Sequence, residues 1–197
     1  MAKIITHKNS TKKQVITAKA ASLFRKKGFA AASMRELAET IGVEASSLYN
    51  HIGSKNELLQ TICFSIANDF THHLQQIENT KSNVVSKIHQ IISFHIKMMF
   101  NRFDEVFVAN HEWKQLQEPF LSNFLHQRKA YEIRLIELVK LGIKNKEIKN
   151  IQPSIAVLTI LSAVRGLEFW HHHQKEADRA DLEADMVNHL LYGLIKQ

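Results

Sequence analysis

Residues 33–55, SMRELAETIGVEASSLYNHIGSK, constrain the fold more than any other stretch of the chain. Ser33 and Glu36 have the S-x-x-E spacing of a capping box, in which each side chain satisfies a backbone N–H at a helix start. Met34, Leu37, Ala38 and Ile41 then recur at helical period and give that helix one apolar stripe. Gly42 allows a turn, and a second short helix over about residues 44–51 points Val43 and Leu48 inward before Gly53-Ser54 breaks it. Ala38, Gly42 and Leu48 together have the spacing of a helix-turn-helix. The alanine is small where two helices cross, the glycine turns, and the leucine anchors the second helix.

A helix over about residues 10–27 should precede this pair, with Ile16, Ala20, Leu23 and Phe24 on one face and Gly28 as a left-handed cap. After Lys55 the pattern stays helical over about residues 55–79, 83–101, 104–116, 118–146, 153–173 and 182–196. Asn83, Asp104 and Ser154 suit caps or first turns, and Pro119 and Pro153 suit first-turn positions. Composition agrees: only six glycines and two prolines punctuate 197 residues, and strands and hairpins need more turn residues than that. The fold class is therefore all-α, about nine helices. A three-helix domain over residues 1–55 leads into a larger helical domain over 56–197, joined through a continuous helix and a rigid junction.

On a wheel centred on Leu48, Ser46 and Asn50 point away from the core, and Ser47 and Tyr49 flank them at about 100° on either side. Short hydrogen-bonding side chains and one phenol suit a major groove: Asn pairs with adenine, and Ser reaches several base edges. Tyr49, His51 and Lys55 suit phosphates, as does the helix start near Ser33 and Met34. Charge points the same way. Residues 1–60 hold ten Lys/Arg against four Asp/Glu, and residues 61–197 hold sixteen against fifteen. The excess sits in the first third, which is expected to meet a polyanion.

The segment ITAKAASLFRKKGFAAASMRELAETIGVEASSLYNHIGSKNELL resembles the N-terminal domain of the TetR (tetracycline-repressor) family of bacterial transcription regulators. The likeness covers about residues 11–60. It implies a homodimer that sets one third helix in each half-site of a near-palindromic operator, with Ser33, Arg35, Ser46, Ser47, Tyr49, Asn50, His51 and Lys55 on the DNA. Three departures stand out. Glu44 and Ala45 leave the recognition helix without Lys or Arg, Ile52 replaces a common phenylalanine, and Gly53 replaces a common proline.

In the second domain, residues 155–170 are apolar on two sides. Val157, Ile160, Val164 and Leu167 lie on one, and Leu158, Leu161 and Phe169 on another, so the helix needs burial on both. Leu182, Met186, Leu190 and Leu194 give the last helix a similar stripe. Self-association through about residues 153–173 and 182–196 is expected, in keeping with the family's four-helix pairing. An effector pocket is expected from Phe94, Met98, Trp113, Phe124, Arg128, Tyr131, Arg165 and Trp170. Arg128 and Arg165 both fall on apolar stripes, as ligand anchors or as internal ion pairs with Glu112, Glu132 or Glu168. The HEW at 111–113, Arg128 with Tyr131 and Glu132, and Trp170 are similar to a TetR branch that senses acyl-CoA thioesters.

The twelve histidines do not suggest a metal. His72 and His73 are adjacent, as are His171, His172 and His173, so neither set chelates as an i, i+4 pair would; solvated helix ends account for them better. No cofactor is expected. Nor is an enzyme: there is no G-x-S-x-G, no phosphate-binding glycine loop, and Cys63 sits in an apolar helix without an evident base. The N-terminus lacks a secretory pattern, no apolar run approaches a membrane span, and the lone cysteine suits a reducing compartment, so a cytoplasmic address is expected. The reading is a dimeric repressor released from operator DNA by a small-molecule effector. The alternative is a non-specific architectural DNA binder without a ligand.

Overall fold

The computed structural model describes residues 12–50, 52–170 and 179–195. Among them are nine α-helices: α1 (Lys12–Lys27), α2 (Met34–Ile41), α3 (Ala45–Tyr49), α4 (Lys55–Glu78), α5 (Val84–Asn101), α6 (Phe103–His111), α7 (Phe120–Lys144), α8 (Pro153–Arg165) and α9 (Arg179–Tyr192). Short 3₁₀ turns follow α6 at Trp113–Gln115 and α8 at Gly166–Phe169. No strand occurs among the described residues; one isolated bridge joins Ile148 to Ile195. No helix among them is long and apolar enough to cross a membrane. The fold is all-α, as the helical periodicity requires.

Helix ends differ from the expected ones where local chemistry intervenes. At α8 Gln152 is the N-cap, and Pro153 and Ser154 both stand in the first turn, where they were expected. Pro119 stands one residue before α7. Helix α6 stops at His111 and α8 at Arg165, each tightening into a 3₁₀ turn where a longer α-helix was expected.

The described residues pack as two compact units. One lies within residues 1–66 and 104–124, the other within 67–103 and 125–197. In the first unit, Ile16, Ala20, Phe24, Leu37, Ala38, Leu48 and Ile52 are sealed from solvent. Phe24 meets Phe29 edge to face, with ring centroids 5.2 Å apart. Helix α6 and the start of α7 belong to this unit: Asp104 pairs with Arg25 of α1, and Phe64 packs edge-on against Phe124 at 5.7 Å.

In the second unit α5 packs against both α8 and α9. Its core holds Leu74, Ile88, Ile91, Ile92, Ile96, Leu135, Val139, Val157, Ile160, Val164 and Val187. The start of α5 is capped twice. Asn83 accepts from the Ser86 N–H at 2.8 Å, and Glu147, from the loop after α7, accepts from the Val84 N–H at 2.6 Å and the Val85 N–H at 3.2 Å. A cap from 63 residues away fixes that loop to α5 as well as satisfying donors that the helix leaves open.

Candidate nucleic-acid interface and effector region

The recognition pair is built by local chemistry. Ser33 is the N-cap of α2: its side chain accepts from the Glu36 N–H, and the Glu36 carboxylate accepts from the Ser33 N–H at 3.1 Å, so the capping box is complete. Glu36 also pairs with Lys27. Lys27 first, and then the Ser33 donors, hold its carboxyl below the ordinary value. Gly42 closes α2 at φ +78°, a left-handed conformation, and its N–H reaches the carbonyls of Ala38 and Glu39. That geometry favours glycine, because a Cβ is strained there. Helix α3 then starts at Ala45, with Leu48 only 1% exposed.

This anchor turns the rest of α3 outward. Ser46 and Asn50 are exposed, Tyr49 is 51% exposed and Ser47 is half-buried. Arg35 is exposed on α2, in a loose pair with Glu39 at 3.3 Å. Ser33 is exposed, but its N–H and hydroxyl are engaged with Glu36. His51 lies outside the described residues.

Lys55 is placed differently from the expectation of a free phosphate contact. Its ammonium donates to the carbonyls of Phe29 at 2.8 Å, Ala30 at 3.2 Å and Ala32 at 2.9 Å, and lies 4.5 Å from the Phe29 ring centroid. An ammonium has three donors, and here all three close the loop between α1 and α2. The two departures nearby also have uses. Ile52 is buried. Gly53 gives its N–H to Glu57 at 2.8 Å, a donor proline would lack, while Ser54 accepts from the Glu57 N–H at the start of α4.

The eight residues expected around an effector fall in several places. Phe124, buried against Phe64, and half-buried Trp113 belong to the first unit. Phe94, Met98, Arg128, Tyr131, Arg165 and Trp170 belong to the second. Arg165 does not lie on a buried stripe: its face of α8 is open, with Leu158 60% and Phe169 75% exposed. Trp170 is exposed too. Of the histidines expected at solvated helix ends, His73 is half-buried and stacked on Phe94, with centroids 3.9 Å apart; His171, His172 and His173 lie outside the described residues.

What the structure does gather is a cluster of rings from α4, α5 and α7. Phe70 meets Phe94 edge to face at 5.8 Å and stacks on His95 at 4.2 Å, and His95 Nε2 and the Tyr131 hydroxyl are 2.7 Å apart. Burial drives His95 down to about 3, with Arg165 and then His73 adding to the effect. Burial also pushes the Tyr131 phenol up. Sequence reasoning missed His95, Phe70 and His73. The available signal was the α5 stripe, since His95 follows Ile88, Ile91 and Ile92 at helical spacing.

On α8 the two-sided pattern is realised as expected. Val157, Ile160, Val164 and Leu167 are buried; of the other face Leu158 and Phe169 are more than half exposed and Leu161 is half-buried, and Ile155 is exposed beside them. On α9 the sealed positions are Val187 and Leu191; of the expected stripe Leu182, Met186 and Leu190 are half-buried, and Leu194 is buried just beyond the helix end. Ala163, Leu167, Leu182, Met186 and His189 border an open groove of about 560 Å³ between α8 and α9.

Comparison with known proteins agrees with this arrangement. Residues 16–62 match the bacterial regulatory proteins of the tetR family, and residues 81–194 match the tetracyclin repressor-like C-terminal domain. The HTH-type transcriptional repressor KstR2 of Mycolicibacterium smegmatis is 22% identical over 125 residues, 63% of this chain and 61% of that protein. The match therefore spans less than two thirds of that relative. The ketosteroid transcriptional regulator KstR2 of Mycobacterium tuberculosis superposes with a TM-score of 0.88 at 15% identity, over 98% of this chain and all of that one. AibR in complex with isovaleryl coenzyme A and operator DNA superposes at 0.79 and 21% identity, over 92% and 98%. These likenesses show the fold. The two family matches, one at each end and the second covering more than half of the chain, show that it belongs to the TetR family of bacterial transcription regulators.

Proposed function

We propose that the protein is a dimeric repressor that leaves its operator when a small molecule binds the second unit. The observation that carries the DNA part is the outer face of α3. A helix of five residues, fixed by one buried leucine, spends its remaining surface on Ser46, Ser47, Tyr49 and Asn50. Asn50 and the serines read base edges, Tyr49 and Arg35 hold backbone, and Ser33 sets the start of α2 against a phosphate. Lys55 positions this face by tying down the loop beneath it. His51 completes the set by resemblance.

The exposed apolar face of α8 supports pairing with a second copy. Ile155, Leu158 and Phe169 are costly to leave in water, and pairing through this face would give the operator two copies of the recognition helix. Half-sites one turn apart need about 34 to 36 Å between them, so a change of a few ångströms in the second unit disfavours binding. Met98, Arg128, Tyr131 and Phe94 are proposed for effector contact, with Arg165 and Trp170 as the remaining candidates in that unit; Trp113 and Phe124 belong to the first unit and are left out of this set. An acyl-CoA thioester is the proposed class. The sequence likeness to thioester sensors supports it, as does the structural likeness to AibR, which was solved in complex with isovaleryl coenzyme A and operator DNA.

The test pairs two measurements. Thermal melts against CoA thioesters, the free acids and bulky apolar cations should show a shift with thioesters alone; at 100 times the dissociation constant it amounts to about 2.7 kcal/mol. The same thioester should release the protein from the DNA upstream of its own gene. Equal binding to random DNA, unaffected by any of these compounds, would instead establish an architectural binder.

A further inference from the structure

The face of α8 that Leu158 and Phe169 leave open has a charge in its midst. Arg165 stands seven residues after Leu158 and four before Phe169, so the three share one stripe. Arg165 is exposed, and it has no hydrogen bond or ion pair among the described residues. Its electrostatic neighbour His95 is a base and supplies no negative charge. In water that arrangement costs little. Under a covering surface the guanidinium needs an acceptor, because an unpaired buried charge is far more costly than an exposed one.

Helix α9 holds such an acceptor. Leu182, Asp185, Met186 and His189 follow one another at i, i+3, i+4 and i+7 and form one wall of the open groove of about 560 Å³, opposite Ala163, Gly166 and Trp170. Asp185 is exposed, and its carboxylate has no ion pair among the described residues; only its backbone carbonyl is engaged, with His189 Nδ1 at 3.1 Å. The groove also has room. Gly166 has an ordinary helical φ of −56°, and a Cβ there would meet nothing within 4 Å. A cavity of about 150 Å³ already admits a benzene ring. Beside the groove, next in sequence to Trp170, stands Phe169 at 75% exposure.

One face therefore carries a projecting ring and an open groove, a cation and a carboxylate. In a two-fold pair, residue i meets j while j meets i, so a face holding both halves of each contact fits a second copy of itself. We propose that in the pair Arg165 of each copy meets the partner's Asp185 and Phe169 of each copy enters the partner's groove, so that the chain selects its own kind. This rests on the reading that the α8 face pairs. It adds which residues choose the partner, and it takes Arg165 and Trp170 out of effector contact.

A charge exchange on the full chain, followed by sedimentation, tests the pairing. Arg165→Glu and Asp185→Arg each set like charges opposite one another twice, and each alone should raise the dimer dissociation constant at least about tenfold. Mixed in equal amounts, the two variants should form a heterodimer of near-native strength, as should the double variant with itself. Asp181→Arg, a charge change of the same sign on α9 but outside the groove, should pair as the native chain does. Gly166→Leu meets nothing in its own copy and should weaken pairing at least about tenfold with an unchanged helical circular dichroism spectrum. Single variants of native strength, a mixture no stronger than its parts, or equal weakening by Asp181→Arg would each overturn the Arg165–Asp185 assignment. Native pairing by Gly166→Leu would overturn the seating of Phe169. A native chain that stays monomeric at micromolar concentration would remove the pairing reading itself, and with it this one; a native dimer indifferent to all four substitutions would remove only this one.

Discussion

Replacing Lys55 by methionine separates two roles that one lysine can have beside DNA. Methionine keeps an apolar stem over the Phe29 ring and removes only the ammonium. Three hydrogen bonds disappear, to the carbonyls of Phe29, Ala30 and Ala32. Each hydrogen bond to a charged group contributes about 1.5 to 3 kcal/mol. Ala30 is exposed, so water replaces its bond at little cost, and the other two share one partly accessible cation. A loss of about 3 kcal/mol results, with the ammonium–ring contact adding less than about 1 kcal/mol. For a chain of this size, about 2 to 4 °C accompanies each kcal/mol, so the melting temperature should fall by about 6 to 12 °C.

The assay is a melt of the free protein beside a salt titration of operator affinity between 50 and 200 mM, on the order of the range where counterion release is read. If Lys55 closes the loop, affinity declines with stability but the slope of log affinity against log salt is unchanged. If it neutralises a phosphate, the slope becomes shallower by about 0.9 for each subunit. An unchanged melting temperature with a shallower slope would refute the loop-closing role.

Asn50→Ala should relax preference at one base position by about 1 to 3 kcal/mol while leaving the melt unchanged; unchanged selectivity across an operator library would remove Asn50 from base readout. Leu158→Glu puts a charge on the open face of α8 twice per symmetric pair, and should raise the dimer dissociation constant by at least a hundredfold in sedimentation; a dimer of unaltered strength would place the interface elsewhere. His95 is depressed to about 3 from an ordinary 6.5, so the unfolded chain takes up protons first on acidification. Its contribution to stability is complete above about pH 6.5 and is lost as pH falls towards 3, about 2 kcal/mol of it between pH 7 and pH 5. Melts of the native chain and His95→Gln should diverge over that window, and parallel curves would contradict a buried neutral imidazole. Gly142→Ala sets a Cβ 2.5 Å from Ile148 Cδ1 and 2.9 Å from Val84 Cγ1, and should cost about 1 to 3 kcal/mol in a denaturant titration; a neutral result would mean that the loop after α7 yields freely.

The parts that were legible in the sequence are those whose chemistry is local. The capping box at Ser33 and Glu36, the left-handed turn at Gly42 and the Leu48 anchor are each settled within a few residues, so spacing alone reveals them. The two faces of α8 were legible for the same reason, since helical period sorts Val157 and Ile160 from Leu158 and Phe169. What escaped notice depends on residues far apart in the chain. Lys55 finds carbonyls 23 to 26 residues earlier, and a lysine after a recognition helix carries no mark distinguishing a carbonyl partner from a phosphate. Tyr131 meets His95 across 36 residues, and nothing in either helix announces the other. The packing of α6 against the first unit was equally hidden, because its composition is that of any short amphipathic helix.

That packing changes what the charge asymmetry means. Residues 1–60 carry ten cations, and at face value all of them are available to a polyanion. In the folded unit Asp104 takes Arg25, Glu36 takes Lys27 and Glu57 meets Lys13 at 3.5 Å, while Lys55 is spent on carbonyls. Residues 104–124 also bring Asp104, Glu105, Glu112 and Glu118 into the same unit against Lys114 alone. Six cations per subunit remain for phosphates at most. At about 0.9 counterion per contact, two subunits then give a salt slope no steeper than about −11, against about −18 if every lysine and arginine took part. With no Lys or Arg on α3 itself, the remaining selectivity falls to neutral hydrogen bonds from Ser46, Ser47 and Asn50, which salt does not screen. The expected signature is thus a moderate salt slope with discrimination between operator and random DNA that persists as salt rises. A slope near −18, with discrimination that fades in salt, would show that the internal pairs open onto phosphate and that charge, not the α3 face, selects the site.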